Sequence, residues 1–411
     1  MFKSTLVIMI DSFRYDYLSE EETPFLLNFS KALRMKPTLG YSSGLHPIIV
    51  SGTYPRTNGV WASYYFTTNS PYKWTKAVAP FTYISYRLNR KLYDKVRVAI
   101  KRLTKRISGS THMRPRNIPL WLLGFFNHLK RNAFEANALG NIPTLFDILR
   151  EYNIQFRYIG YPKEKTDLDV FKKSIASLKK EFLFVYFFQL DSITHKYGVS
   201  SPQRKNHTKW LNNAVEKLVK RFIETHDEWN IFILSDHGMC DITGVLSIKK
   251  VFCSIDVREF FDYIPFYDST IARFWFLNKR ARLKIESRLN RLQKGRVLYQ
   301  EELVKYGLNF IKKDYGELIF ITNPGILLIP NYYTGFHVDK AMHGYIPEDQ
   351  TQHGFFLFKN SDSGIEILKD EIKIIDIFPT IIDCFNVDTI KEKVAQFIEG
   401  KSILSLNETD F

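Results

Sequence analysis

With 411 residues, 45% of them apolar and 15% aromatic, the chain can fill one large α/β domain with insertions or two domains. Three scattered cysteines, Cys240, Cys253 and Cys384, argue against a thiolate zinc site and a disulfide framework and fit a reducing compartment. The formal charge of +15 is concentrated: between Pro80 and Glu135 thirteen Lys or Arg stand against Asp94 and Glu135, which points to an anionic partner surface.

The first element is "STLVIMI" (4–10), a strand that ends at Asp11. Its apolar run, about seven residues, is too short for a signal-peptide core, so a cytoplasmic protein is expected. No stretch reaches the roughly 18 consecutive apolar residues that a membrane-spanning helix needs. Next comes "LGYSSGLHPIIVSGTYP" (39–55), which contains a G-x-S-x-G. That is the pattern of a serine-hydrolase nucleophile elbow, and it leaves three readings for Ser42: the nucleophile of a Ser-His-Asp triad, a metal-activated hydroxyl, or a turn residue. A nucleophile elbow follows several strands, whereas one clear strand precedes Ser42, and this weighs against the triad.

Residues 80–135 read as an insert. "YRLNRKLYDKVRVAIKRLTKRI" places Leu88, Leu92, Val96, Ala99, Leu103 and Ile107 at helical spacing, and the apolar "NIPLWLLGFF" follows. Either a solvated basic helix packs on the core by its Leu/Val stripe, or the segment is interfacial. In the second case Lys and Arg meet anionic headgroups, "IPLWLLGFF" enters the lipid boundary, and the protein is peripheral on the inner membrane face. Nucleic acid is disfavoured as a partner because no recognised nucleic-acid-binding motif accompanies the basic patch.

Further apolar runs follow at "QFRYIGY" (155–161), "FLFVYFFQL" (182–190), "WNIFILS" (229–235) and "GFFLF" (354–358), alternating with helical patterns such as "PTLFDILREY" and "HTKWLNNAVEKLVKRFIETH". Strands apolar on both faces, with helices between, predict an α/β fold with a mostly parallel central sheet flanked by helices. Residues 240–340 mix helix and strand and read as an inserted cap. Ligands of such sheets bind beyond the carboxyl ends of the strands. The residues there are Asp11, then Asp191 and His195, then Asp236 and His237. "DSITH" sets Asp191 and His195 four apart, on one face if the chain turns helical. Together with His343 of "AMHGYIP" they form an oxygen and nitrogen set without thiolate, suited to zinc, or to manganese or iron, in a catalytic site with open positions. Six such residues divide naturally between two metals.

In this order the motifs resemble the alkaline phosphatase superfamily and, within it, the type I phosphodiesterase and nucleotide pyrophosphatase group. "VIMIDSFRYDYL" is similar to its first-strand metal motif, "SSGLHPIIVSGTYPRTNGV" to its nucleophile segment, "DSITHKYG" to D-x-x-x-H-x-Y-G, "LSDHGM" to S-D-H-G-M, "MHGY" to H-G-Y and "IIDIFPTIID" to D-I-x-P-T. The resemblance implies an alkaline phosphatase-like core over 1–239 and 341–411, carrying the basic amphipathic insert, with 240–340 as the cap. It implies two divalent metals, zinc first. One is held by Asp191, His195 and His343, the other by Asp11, Asp236 and His237 together with the nucleophile. Counting back from "VSGTYP" places that nucleophile at Ser42, with Ser43 as the alternative register. The implied activity is cleavage of a phosphodiester or phosphoanhydride on a lipid-linked or nucleotide-type substrate. Phosphotransfer is the alternative within the superfamily and a metal-independent serine esterase the alternative outside it.

Two departures qualify the match, and a third observation disfavours the sulfatase alternative. Ser63 stands where the nucleotide pyrophosphatase pattern has a phosphate-binding Asn. No substitute appears for the phosphate-clamping Arg of classical alkaline phosphatases. Ser42 to His46 lacks the Pro and Arg of a sulfatase signature. Of the remaining motif residues, Arg14 and Asp16 are expected to form an ion pair, His353 to be structural and Cys240 to be a small buried residue, while His46 is as open to a supporting as to a catalytic role.

Overall fold

The structure is a computed structural model that describes residues 3–88, 95–96, 117–362, 365–367 and 369–406. The chain divides into two compact units, the first formed by Met1–Val60, Asn132–Asp241 and Asp339–Phe411 and the second by Trp61–Arg131 and Ile242–Val338.

In the first unit seven strands make one sheet: β1 (Ser4–Ile10), β2 (Leu33–Lys36), β3 (Phe156–Ile159), β4 (Phe182–Phe187), β5 (Trp229–Leu234), β6 (Gly354–Asn360) and β7 (Glu371–Lys373). Their order is β7-β2-β6-β5-β1-β4-β3. Only β6 runs against its neighbours; every other adjacent pair is parallel. This is the mostly parallel α/β sheet expected from the sequence. The continuous apolar character of the central strands follows from burial on both faces. Val7, Met9, Phe184, Tyr186, Phe232 and Leu234 enter one core, whereas Leu6, Ile8, Val185, Phe187, Ile231 and Ile233 enter the other.

Helices cover each face. On the first core lie α1 (Ser42–Ser51), through Leu45, Ile48, Ile49 and Val50, and the helices Leu145–Glu151 and Ile377–Asp383. A short helix, α2 (Gln189–Tyr197), leaves the end of β4. The long α3 (Pro202–Glu224) buries Leu211, Val215, Leu218 and Phe222 at helical spacing in the second core. Its start is set by Pro202 in the first turn and by the Ser201 side chain, which accepts from the Arg204 amide.

The second unit has a four-stranded antiparallel sheet in the order Tyr263–Tyr267, Ile271–Phe276, Leu318–Thr322, Gly295–Leu298. Its core is aromatic, and the fully buried Arg273 is compensated by Asp268 at 2.8 Å and by the Tyr64 carbonyl at 2.8 Å. Two expectations change here. Described residues of the 80–135 insert were assigned to the core with 1–239, but as far as Arg131 they belong to this second unit, where Phe126–His128 pairs with Tyr64–Phe66. The "IPLWLL" stretch, read as able to enter lipid, is instead core: Ile118, Leu120, Trp121, Leu122 and Leu123 are all buried. Most of the basic run, 89–94 and 97–116, lies outside the described residues. Among the described residues no helix is long and apolar enough to cross a membrane.

Candidate active site

Five chain segments bring the candidate residues together at one end of the first unit's sheet. Asp11 follows β1, and Asp236 and His237 follow β5. Asp191 and His195 share a face of α2, as their spacing predicts. His343 follows the two-residue strand Ala341–Met342, which pairs with Cys240–Asp241. That pairing leaves Cys240 partly exposed rather than buried as expected. Ser42 is the first residue of α1, so its hydroxyl sits at the positive end of the helix dipole, a setting that favours an alkoxide or a phosphate oxygen. The H-G-Y turn depends on its glycine. Gly344 has φ +84°, and a Cβ there would fall 2.5 Å from the Tyr41 ring. Gln352 accepts from the Gly344 and Tyr345 amides at 3.0 and 3.2 Å, which fixes the loop behind His343.

The side chains form two groups joined at His237. In one, Asp191 Oδ1 lies 3.3 Å from His195 Nε2 and 3.6 Å from His343 Nε2. In the other, His237 Nε2 is 2.9 Å from Ser42 Oγ and 3.4 Å from both Asp11 Oδ1 and Asp236 Oδ2. The His237 and His343 rings stack at 3.9 Å, so the two groups are contiguous.

The outward faces of these groups are anchored. His237 Nδ1 meets the Gly238 carbonyl at 2.8 Å and His195 Nδ1 the Ala341 carbonyl at 2.7 Å. Each contact makes Nδ1 the hydrogen-bonding edge of the ring and leaves Nε2 as the nitrogen that faces the carboxylates and would meet a metal. Tyr186 donates to Asp11 Oδ2, His46 Nε2 lies 3.0 Å from Asp236 Oδ2, and the Ser12 amide donates to Asp236 Oδ1 at 3.2 Å. Sequence reasoning missed Tyr186, which reads as one more core aromatic in "FLFVYFF", and left His46 undecided.

This geometry separates the readings of Ser42. A Ser-His-Asp triad needs the serine on one imidazole nitrogen and the carboxylate on the other. Here Ser42 and both carboxylates face Nε2 of His237, while Nδ1 meets a backbone carbonyl. Convergence of hydroxyl, imidazole and carboxylates on one point is the pattern of a metal centre.

The donor set fits divalent cations on further grounds. The inward atoms Asp11 Oδ1 and Asp191 Oδ1 are buried and accept no hydrogen bond among the described residues. Three carboxylates crowd together, and burial, with Asp236 and Asp191 nearby, pushes Asp11 well above the usual carboxylate range. Burial would also raise Asp191, but His195, His343 and His237 outweigh it and hold the group low. The same contact lifts His195 to about 9 against the opposing effect of burial, while burial and the neighbouring His237 hold His343 well below its ordinary value, as the neutral ligand form. Asp191, His195 and His343 make one possible ligand group; Asp11 contributes to a second with Asp236 and His46 and to a third with Asp191 and His237.

The model for type I phosphodiesterase / nucleotide pyrophosphatase matches residues 5–346. The chain belongs to that family. Rat ectonucleotide pyrophosphatase/phosphodiesterase family member 7 is 27% identical over 252 residues, 58% of this chain and 50% of the relative. The match thus spans about half the length of the member 7 relatives, including the mouse and human proteins. The bis(5'-adenosyl)-triphosphatase ENPP4 of Pongo abelii is 21% identical over 392 residues, covering 91% of this chain and 76% of the relative. In fold the chain is similar to an inactive variant of murine ectonucleotide pyrophosphatase/phosphodiesterase 5 solved in complex with AMP. The TM-score is 0.66 at 14% identity, over 94% of this chain and 95% of that one.

Within this family frame Ser63 remains the departure. It is buried in the second unit just before the strand Tyr64–Phe66, and its carbonyl accepts from the Leu129 amide at 3.0 Å. His353 lies outside the cluster and meets the Pro347 carbonyl at 2.9 Å, and Arg14 pairs with Asp16 at 2.8 Å.

Proposed function

We propose that this protein is a metal-dependent phosphohydrolase that cleaves phosphodiester or phosphoanhydride bonds with Ser42 as nucleophile. The observation that carries the reading is the convergence of Ser42 Oγ with the Nε2 edge of His237, which also faces Asp11 and Asp236. Asp191, His195 and His343 would hold one divalent cation, and Asp11, Asp236 and His237 with Ser42 the other; zinc suits this nitrogen and oxygen set. When bound, such ions supply Lewis acidity toward the phosphoryl and attacking oxygens.

The chain's own residues do the rest. Ser42 Oγ attacks phosphorus in line, the bond to the leaving oxygen breaks, and a phosphoserine forms. Water then attacks from the opposite side and returns the serine hydroxyl. The amino end of α1 stabilises the negative charge on Ser42 and on its phosphoryl group. Tyr186 and His46 hold Asp11 and Asp236 with their inner oxygens toward the centre. The names of the ENPP4 relative and of the AMP-bound neighbour support a nucleotide anhydride or diester, whereas Ser63, where the nucleotide pyrophosphatase pattern has Asn, weighs against it.

The test is hydrolysis of bis-p-nitrophenyl phosphate, with p-nitrophenyl phosphate in parallel, by zinc-loaded wild type, EDTA-treated protein and Ser42→Ala. Loss of diesterase activity in both treated forms, with the diester preferred by wild type, is expected. Activity that survives chelation would overturn the metal reading and return Ser42 to the serine-esterase class.

A further inference from the structure

The edge strand of the first unit's sheet, β3, borders an open pocket of about 330 Å³ whose residues include none of the candidate metal ligands. One part of its wall is aromatic. Phe134 stacks on Tyr158, with ring centroids 4.6 Å apart and planes 16° from parallel, and Phe156 adds a third ring. Phe134 also packs against His46 and Tyr186, at ring distances of 5.2 and 5.6 Å. The pocket and the braces of the candidate metal site thus share that side chain.

The rest of the wall is cationic. Arg150, Arg157 and Lys163 line the pocket against one carboxylate, Glu164, which is already committed: it accepts from the Gly160 amide at 2.8 Å and from Lys173 at 2.9 Å. Arg157 and Lys163 have no side-chain partner among the described residues. Arg150 lies over the Phe156 ring, 5.1 Å from its centroid, and gives Nη1 alone to the protein, at 3.0 Å from the Phe146 carbonyl and 3.2 Å from Asp147. Its Nε and Nη2 are left for another acceptor.

A single exposed cation is ordinarily a solvated one. Three of them around a concave aromatic wall, with the lining carboxylate turned to other partners, make a site that lacks its anion. Guanidinium and ammonium donors together match the oxygens of a phosphate, which a guanidinium edge takes two at a time. The rings match a flat apolar body beside it. The volume stands at the low end of the roughly 300–1,000 Å³ of small-ligand pockets, so one ring system with one phosphate fits and a polymer does not. We infer that this pocket is a second, non-catalytic site for a phosphomonoester that carries a planar ring, the class to which nucleoside monophosphates belong.

The experiment is calorimetric titration of the full chain carrying Ser42→Ala with AMP, adenosine and inorganic phosphate, each in the presence of EDTA. Without metal, the crowded carboxylates of the catalytic cluster repel a phosphate, so binding there is silent. AMP is expected to bind, about tenfold or more tightly than either adenosine or phosphate. Adding Arg157→Gln and Lys163→Gln should weaken AMP by about tenfold or more, through the loss of two charge-assisted contacts. The melting temperature should not change, because both side chains are exposed. Three outcomes would overturn the inference: no AMP binding, AMP binding that the two glutamines leave as it was, or inorganic phosphate that binds as well as AMP. The titration involves neither metal nor nucleophile, so its result stands apart from the catalytic proposal.

Discussion

Asp11, Asp236 and His237 stand at the ends of neighbouring central strands, β1 and β5, and are buried to 5% exposure or less. Each is braced from the side, by Tyr186, by His46 and the Ser12 amide, and by the Gly238 carbonyl. Asp191 and His195 ride instead on α2, with side chains about a fifth exposed, and their alignment is the register of a helical turn. The strand-borne half of the site therefore depends on outer partners scattered through the chain, and the helix-borne half on how α2 itself is seated. That seat is visible: the buried Asp167 accepts from the Phe188 and Gln189 amides at 2.9 and 3.2 Å and lies 2.8 Å from His207 Nε2, so one carboxylate ties the start of α2 to α3.

The largest expected effect comes from removing an acid from either half. Asp236→Asn and Asp191→Asn should each lose diesterase activity by about a thousandfold or more, beyond the 10–100-fold typical of outer partners. Elemental analysis should find each variant short of one zinc relative to wild type, and a variant that keeps both equivalents would dissolve the division into halves. Next in size are the braces. Tyr186→Phe and His46→Gln should weaken zinc at the strand-borne half by about 10- to 100-fold, seen in chelator competition, and leave the helix-borne half nearly unchanged. Equal weakening at both would mean that the braces act on the fold as a whole. Smaller still, Asp167→Asn should loosen only the helix-borne half, by less than the braces do, with faster amide hydrogen exchange at the start of α2 as the independent readout.

What the sequence made legible follows the same line. Asp191 and His195 were paired by a spacing of four, and Asp236 and His237 by adjacency at a strand end, because local geometry is written in short intervals. Tyr186 and His46 were not recoverable in this way: their partners lie 175 and 190 residues away. A tyrosine inside "FLFVYFF" has the same signature whether or not its hydroxyl has a task. The parallel sheet was readable from apolar runs with helices between them. The association of Trp61–Arg131 with Ile242–Val338 was not, because it is set by a shared aromatic core and by long-range contacts such as that of the Arg273 guanidinium with the Tyr64 carbonyl, which leave no local pattern.

The finest distinction between the halves is their response to pH in the metal-free protein. Asp191 lifts His195 to about 9, above the unfolded value of about 6.5. A group raised on folding stabilises the protein fully below its unfolded value, and that contribution is lost as pH rises through the folded one. Metal-free wild type should therefore lose thermal stability between about pH 6.5 and 9, and Asp191→Asn, which lacks the lifting charge, should lose less over the same window. Metal binding needs the neutral imidazole, so a divalent metal held at His195 as proposed would have to displace that proton. Titration calorimetry at about pH 7, in buffers of different ionisation enthalpy, should then report proton release that includes His195, and less release above about pH 9, where the ring is already neutral. Release that stays constant across the two conditions would show that His195 is unprotonated throughout and that the helix-borne half is as prepared for metal as its strand-borne neighbour.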